Sequence, residues 1–482
     1  MNYLGANFDQ VSRGLLCPED YQNPEPKEKY HLVVIGAGPA GLISAIGAAG
    51  LGAKVALVEK HLMGGDCLNV GCMPSKALLS HSVQIHSNFD AAFAWLREVR
   101  AKIAPHDSVA RYLDAGVDVF LGEATFGESG DVMVGGARLA ARRIALCTGA
   151  RADIPNIPGL SACDPLTNET VFDLTRRPRS LAILGAGPIG CELAQVFARL
   201  GTGVHLFEMA ERVLPNESPG ASKALAQALE AAGVRLYLGH PVQEIQGSGT
   251  IVTARGQVVC ERVLVALGRK PNTETLNLAS VGVNTNDRGF VVTDDRLRTS
   301  NKSIFAAGDC THLSHFTHQA DAQARALIQN ALFFSTAKVD DLVVPHCTYT
   351  TPEVASVGMN AEQLEAQNIQ FETYEFDLNE LDRSVANPQI KSDMPNHAAI
   401  FVSKGTDKIL GATIVASDAG ELLSPIVLMM SNKLGLAAAR KTLFSYPTRS
   451  EYLKRLADAY NRSRFTQRVA DLFAWWLKMT LR

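Results

Sequence analysis

Short unbroken apolar runs alternate with glycine-punctuated, helix-compatible stretches along much of the chain. Leu32–Ile35 and Leu181–Leu184 are two such runs. They lack polar alternation, which suits parallel strands buried on both faces. Each leads at once into a glycine cluster, then about ten helix-compatible residues, then a second apolar run ending in an acid. The two segments repeat at an offset of 149 residues. Gly36-Ala37-Gly38-Pro39-Ala40-Gly41 returns as Gly185-Ala186-Gly187-Pro188-Ile189-Gly190, and Leu51-Gly52 as Leu200-Gly201. Val55, Leu57 and Glu59 return as Val204, Leu206 and Glu208. The pattern predicts a βαβ unit, made twice.

The spacing has a chemical reading. The first glycine of each cluster makes a tight turn, and the second lets the backbone approach a pyrophosphate at the helix N-terminus. The third lets the helix pack on the strand. The acid, 23 residues after the first glycine in both copies, is placed to accept from a ribose. Two dinucleotide sites in one chain imply a flavin and a nicotinamide, because a hydride needs a donor and an acceptor.

Composition narrows the class. The 482 residues are 46% apolar and 20% charged, an ordinary globular balance that at about 150 residues per domain suggests roughly three domains. Lys and Arg number 46 against 49 Asp and Glu, so a general nucleic-acid binder, with its basic surplus, is disfavoured. The stretch around Ala40–Gly50 is Gly/Ala-rich and falls short of a bilayer span. Met1–Gln10 shows no positive region followed by an apolar one, so the expected location is cytoplasmic. Nine cysteines cannot all pair within one chain, and a close pair in such a chain points to redox or metal chemistry.

That pair stands in Gly64-Gly65-Asp66-Cys67-Leu68-Asn69-Val70-Gly71-Cys72-Met73-Pro74-Ser75-Lys76. A zinc half-site would need a second cysteine or histidine pair at ligand spacing, and none stands out. Two unrelated buried thiols are the other reading. A regular helix holds positions five apart beyond disulfide reach, but Asn69 and Gly71 permit a distortion that closes the gap. Pro74 fits the first turn of a helix that carries Lys76 one turn beyond Cys72. A thiol at a helix N-terminus is the better thiolate, so the pair reads as a redox pair.

This segment, with the two glycine fingerprints, resembles the pyridine nucleotide–disulfide oxidoreductases, from about His31 to Asn461. The resemblance implies an α/β fold: two Rossmann-like domains for FAD and NAD(P), plus an α+β C-terminal dimerisation domain. The expected boundaries are an extension over 1–29, an FAD domain over 30–155 and 277–343, and an NAD(P) domain over 156–276. An interface domain over 344–465 and an amphipathic helix over 466–482 follow. Ala145–Gly149 with Ile157-Pro158-Gly159-Leu160, Val265–Asn272, Ile304–Asp309 and Val344–Ala355 match the family's segment junctions. The resemblance makes Cys72 the thiol facing the flavin and Cys67 the outer thiol that exchanges with substrate. It places Lys76 near the flavin, paired with Glu192, and gives Glu59 the adenosine ribose of FAD. It further implies cofactor contacts at Gly36, Gly38, Gly41, Ala124, Thr148, Gly149 and Asp309, and at Gly185, Gly187, Gly190, Glu208 and Gly268. NAD is the expected nicotinamide, with NADP the alternative. A homodimer completes the substrate site.

One motif departs from the family pattern. Disulfide reductases carry His-Pro-x-x-x-Glu near the C-terminus, where the His is acid and base for the exchanging thiol. This chain reads Tyr446-Pro447-Thr448-Arg449-Ser450-Glu451. A tyrosine is a poor proton acceptor at neutral pH. Mercuric reductase has a tyrosine there, but this chain lacks that enzyme's C-terminal cysteine pair, ending Trp475-Trp476-Leu477-Lys478-Met479-Thr480-Leu481-Arg482. Tyr446 and Glu451 join Cys67 and Cys72 as candidate catalytic residues, with Hg(II), another metal ion, lipoamide or another disulfide as acceptor. His312, His315 and His318 read as a helix start beside the flavin, not a metal site. The last helix, Arg468 to Leu481, reads as packing on its own dimer, with peripheral membrane contact the lesser alternative.

Overall fold

The computed structural model describes residues 7–84, 87–313, 316–387 and 395–481. The described chain divides into two compact units. One runs to Met209 and resumes over Gly233–Asp341; the other joins Ala210–Ala232 to the chain from Leu342 onward.

The first unit holds two parallel sheets. The larger orders its strands Ile304–Ala306, Ala141–Leu146, Tyr30–Ile35, Val55–Glu59 and Val117–Leu121. All of these pairings are parallel. The smaller orders Arg235–Leu238, Gly203–Glu208, Ser180–Leu184 and Arg262–Val265, again all parallel. The central strands read as continuous aliphatic runs because helices and loops cover both faces, and Leu32, Val33, Val34, Leu181, Ala182 and Ile183 are wholly buried. Each sheet feeds a helix from its glycine cluster, Pro39–Gly50 in one and Pro188–Arg199 in the other, both with proline at the first position.

The residues before the first strand are not a loose leader from residue 7 on. Helix Phe8–Leu16 is held by Asp9 against Arg97 at 2.9 Å. Asn23 then bonds the backbone of Leu121 in both directions, at 2.8 and 3.0 Å. Val117–Leu121 is a sheet edge, and Asn23 occupies backbone groups that would otherwise be unpaired.

The second unit is an antiparallel sheet ordered Pro345–Thr348, Glu353–Gly358, Ile409–Ala416, His397–Ser403, Phe371–Asp377. Helices Ala419–Ser431 and Tyr452–Ser463 bury Leu422, Ile426, Leu453 and Leu456 in one core with the sheet residues Ala355, Ile400 and Ile414. The segment Ala210–Ala232 is tied in through Glu217, which accepts from His346 at 2.6 Å and from Ser356 at 2.7 Å. Cys347 lies in strand Pro345–Thr348.

Candidate functional site

The two glycine clusters have the same geometry. Gly36 and Gly185 stand at φ of 101° and 104°, left-handed values that glycine adopts without strain. A Cβ on Gly41 would collide with the Gly36 carbonyl, and one on Gly190 with the Gly185 carbonyl. These positions are closed by the protein itself. The middle glycines are different. A Cβ on Gly38 would meet nothing nearer than 3.8 Å, and one on Gly187 nothing within 4 Å. Their bareness serves no internal packing and leaves open the helix N-terminus, where a side chain would keep a pyrophosphate away.

The acids close the same loop in each copy. Glu59 accepts from the Ala37 amide at 2.7 Å, and Glu208 from the Ala186 amide at 2.8 Å. Glu59 accepts again from the His61 amide at 2.8 Å; burial still pushes its carboxyl above the usual range. A further polar atom supports a bound group in the first cradle. Helix Thr317–Leu332 packs on Pro39–Gly50, and the buried Gln319 Oε1 in its first turn has no partner among the described residues. Gln323, one turn on, accepts from the Gly308 amide at 2.7 Å, beside Asp309. The residues fit a dinucleotide in each cradle.

The cysteine segment is two helices, not one. Gly65–Asn69 ends at Val70, and Cys72–Ser82 starts afresh. Asn69 closes the first by donating to the carbonyls of Met63 and Gly65, at 3.1 and 2.9 Å. Any side chain at Gly71 would press on the Asp66 carbonyl, 2.8 Å from an ideal Cβ. The break lies at Val70–Gly71, one residue later than Asn69 alone suggests. It leaves Cys72 as the first residue of its helix.

Both thiols are free, and Cys67 donates a hydrogen bond to Cys72. That bond is the main reason the Cys72 thiol sits well below the ordinary thiol range. The Thr317 hydroxyl and the Lys76 ammonium add to the effect, against burial and Glu192. Cys67 is pushed up by the same hydrogen bond and by burial. Thr317 Oγ1 lies 3.3 Å from Cys72 Sγ. Lys76 Nζ donates to both oxygens of Glu192, at 3.0 and 2.9 Å, and Glu192 is buried on helix Pro188–Arg199.

Arg269 ties the surroundings together. It donates to Asp66 at 2.6 Å, to the Ala150 carbonyl at 2.6 Å and to Asp309 at 3.4 Å. Asn272 bonds the carbonyls of Gly149 and Thr148, each at 3.0 Å. The Gly268 carbonyl accepts from Asp153 at 3.0 Å, and Ala124 is buried in strand Ala124–Phe126. Neither Thr317 nor Arg269 stood out as a site residue in the sequence. Thr317 reaches Cys72 across 245 positions, a contact with no local signature.

Tyr446 and Glu451 belong to the second unit, the thiols to the first. Tyr446 is 70% exposed, and its hydroxyl donates to Asp382 Oδ2 at 2.6 Å. This bond to a carboxylate raises the phenol above its ordinary value. Glu451 pairs with Arg455 at 2.8 Å. Of the three histidines, His312 faces the Val291 carbonyl at 3.4 Å and His318 stacks on Phe316, while His315 lies outside the described residues.

Residues 30–331 match the pyridine nucleotide-disulphide oxidoreductase family, and residues 344–457 match its dimerisation domain. The chain belongs to this family, and is an oxidoreductase that uses FAD and NAD(P) and carries the means to form a homodimer. A mercuric reductase of Lysinibacillus sphaericus is 33% identical, over 96% of this chain and 87% of its own length. A dihydrolipoyl dehydrogenase of Chlamydia trachomatis is 34% identical, over 88% of this chain and 95% of its own. Among solved structures, the HOCl-induced flavoprotein disulfide reductase RclA of Escherichia coli matches with a TM-score of 0.82 at 29% identity. That match covers 89% of this chain and 99% of RclA. Among the described residues no helix is long and apolar enough to cross a membrane.

Proposed function

We propose that the enzyme passes electrons from NAD(P)H through Cys67 and Cys72 to a thiophilic metal ion, in the manner of a mercuric reductase. Bound FAD supplies the two-electron relay between the nicotinamide and the cysteine pair. Cys72, the thiol held as thiolate, stays inside, and Lys76 keeps a positive charge beside it. Cys67 is the thiol that meets the acceptor. As the S–S bond of the pair forms, the Cys67 proton passes to water and the two electrons given up reduce one Hg(II) to Hg(0) or two Cu(II) to Cu(I).

The observation that carries this reading is the state of Tyr446. Exchange with a dithiol needs a base to take a thiol proton and return it, worth about 10²–10⁴-fold. A phenol raised by its bond to Asp382 does not titrate near neutral pH. Capture of a soft ion by Cys67 displaces the thiol proton to water and has no leaving sulfur to protonate, so it needs no such relay. The mercuric reductase relatives support the reading, as does the solved structure described as a Cu(II) complex of RclA, 28% identical with a TM-score of 0.82. The dihydrolipoyl dehydrogenase relatives favour a second reading, lipoamide reduction with an altered base.

NADH consumption with Hg(II), Cu(II), oxidised lipoamide and glutathione disulfide as separate acceptors tests the proposal. Turnover with an ion, and disulfide rates lower by about a hundredfold, is the expected result. Rapid lipoamide reduction at neutral pH would replace the proposal with the second reading.

A further inference from the structure

Helix Gln467–Thr480 lies past residue 457, where the family match ends, and it buries none of its side chains. Leu472, Phe473, Trp475, Trp476, Leu477 and Met479 are each more than half exposed. A contiguous apolar face of this kind marks a surface that something covers.

The shape of the face narrows what that is. At about 100° per residue, the apolar positions run from Trp475 through Leu472 and Trp476 to Leu477, an arc of roughly 200°. A seam between two helices uses a narrower stripe. The polar remainder is a strip carrying Gln467, Asp471 and Lys478, with Gln467 donating to Asp471 at 2.8 Å; Arg468 falls inside the arc, between Trp475 and Met479. Trp475 and Trp476 stand side by side, ring centres 6.5 Å apart, and such rings favour a boundary that is apolar on one side and wet on the other.

Charge narrows it further. The chain carries a net −3, but the sequence from 462 onward holds Arg462, Arg464, Arg468, Lys478 and Arg482 against Asp471 alone. Arg464 is anchored, paired with Glu372 at 2.6 Å and stacked on Tyr460 at 4.8 Å, so the helix starts from a fixed root. At 14 residues it is shorter than the ~20 a bilayer span requires.

We propose that this helix docks the enzyme on an anionic lipid surface. It lies in the interface plane, its apolar arc at the headgroup boundary, where the exposed Arg468, inside the arc beside Trp475, meets the anionic headgroups. A bilayer surface covers a wide arc that a single partner helix leaves partly in water, and its negative charge complements this segment.

The test is co-sedimentation of the full-length holoenzyme with vesicles of phosphatidylcholine, alone or with about one third phosphatidylglycerol. Binding to the mixed vesicles only, weakened by salt and accompanied by a blue shift of tryptophan emission, is expected. Arg468→Glu should lower partitioning by about fivefold or more. Trp475→Ser with Trp476→Ser should abolish binding while NADH oxidation continues. Failure of the wild type to bind either vesicle, or equal binding to both, would overturn the proposal. So would a wild type that ignores vesicles but whose oligomer shrinks in the double tryptophan variant, since the face would then belong to a second copy.

Discussion

The Tyr446 hydroxyl donates to Asp382 Oδ2 at 2.6 Å, at a position where disulfide reductases carry a histidine base. The phenol's one proton is committed, and the carboxylate opposes its loss. Tyr446→Phe should therefore keep metal-dependent NADH oxidation within about twofold, since no proton relay of about 10²-fold or more is being removed. Tyr446→His should raise lipoamide reduction by about tenfold or more, since it restores the titrating base of the His-Pro-x-x-x-Glu pattern. Steady-state rates with each acceptor measure both effects.

The cysteine pair makes a prediction about acidity. The Cys72 thiol is lowered first by the hydrogen bond from Cys67. Cys67→Ala removes that donor, so the Cys72 pKa should rise towards the free-thiol value and the thiolate should be lost at a higher pH as the solution is acidified. Cys67→Ser keeps a donor and should shift it less. Thiolate ultraviolet absorbance against pH, on chemically reduced protein with Cys72→Ser as blank, reads the difference.

Glu192 is buried and Lys76 holds both of its oxygens. Lys76→Met leaves that carboxylate without its cation, at a cost of about 1–3 kcal/mol. The lysine is one-third exposed, so water offsets part of the loss. Glu192→Gln keeps a hydrogen-bonding partner and should cost less. Denaturant midpoints of the two variants against wild type check the order.

Glu208 ends the second strand of the nicotinamide repeat, its carboxylate turned to the Ala186 amide. A carboxylate there accepts from a ribose 2′-hydroxyl and repels a 2′-phosphate. Wild type should favour NADH over NADPH in kcat/KM, and Glu208→Ala should narrow the ratio by about tenfold, the worth of one such contact. A wild-type preference for NADPH would contradict the assignment.

Much of the fold was legible because its signals are local. A glycine that must sit at positive φ, an aliphatic run and an acid at fixed spacing all lie within one βαβ unit, and Gly36 and Gly185 show the same geometry 149 residues apart. The broken helix between Cys67 and Cys72 was legible from Gly71 for the same reason. Thr317 against Cys72, Arg269 between Asp66 and Asp309, and Asp382 under Tyr446 were not. Each joins side chains from distant segments, and no periodicity encodes such a meeting. The residues before Tyr30 read as a plain extension because Asn23 bonds backbone, which leaves no pattern in its partner's sequence.

The central claim is that electrons leave through the Cys67–Cys72 pair. Anaerobic titration of the purified holoenzyme with a chemical reductant measures this most directly. The wild type should accept about four electrons per subunit, two in the flavin and two in the disulfide, and Cys67→Ser about two. A wild-type titration that stops at about two electrons would contradict it.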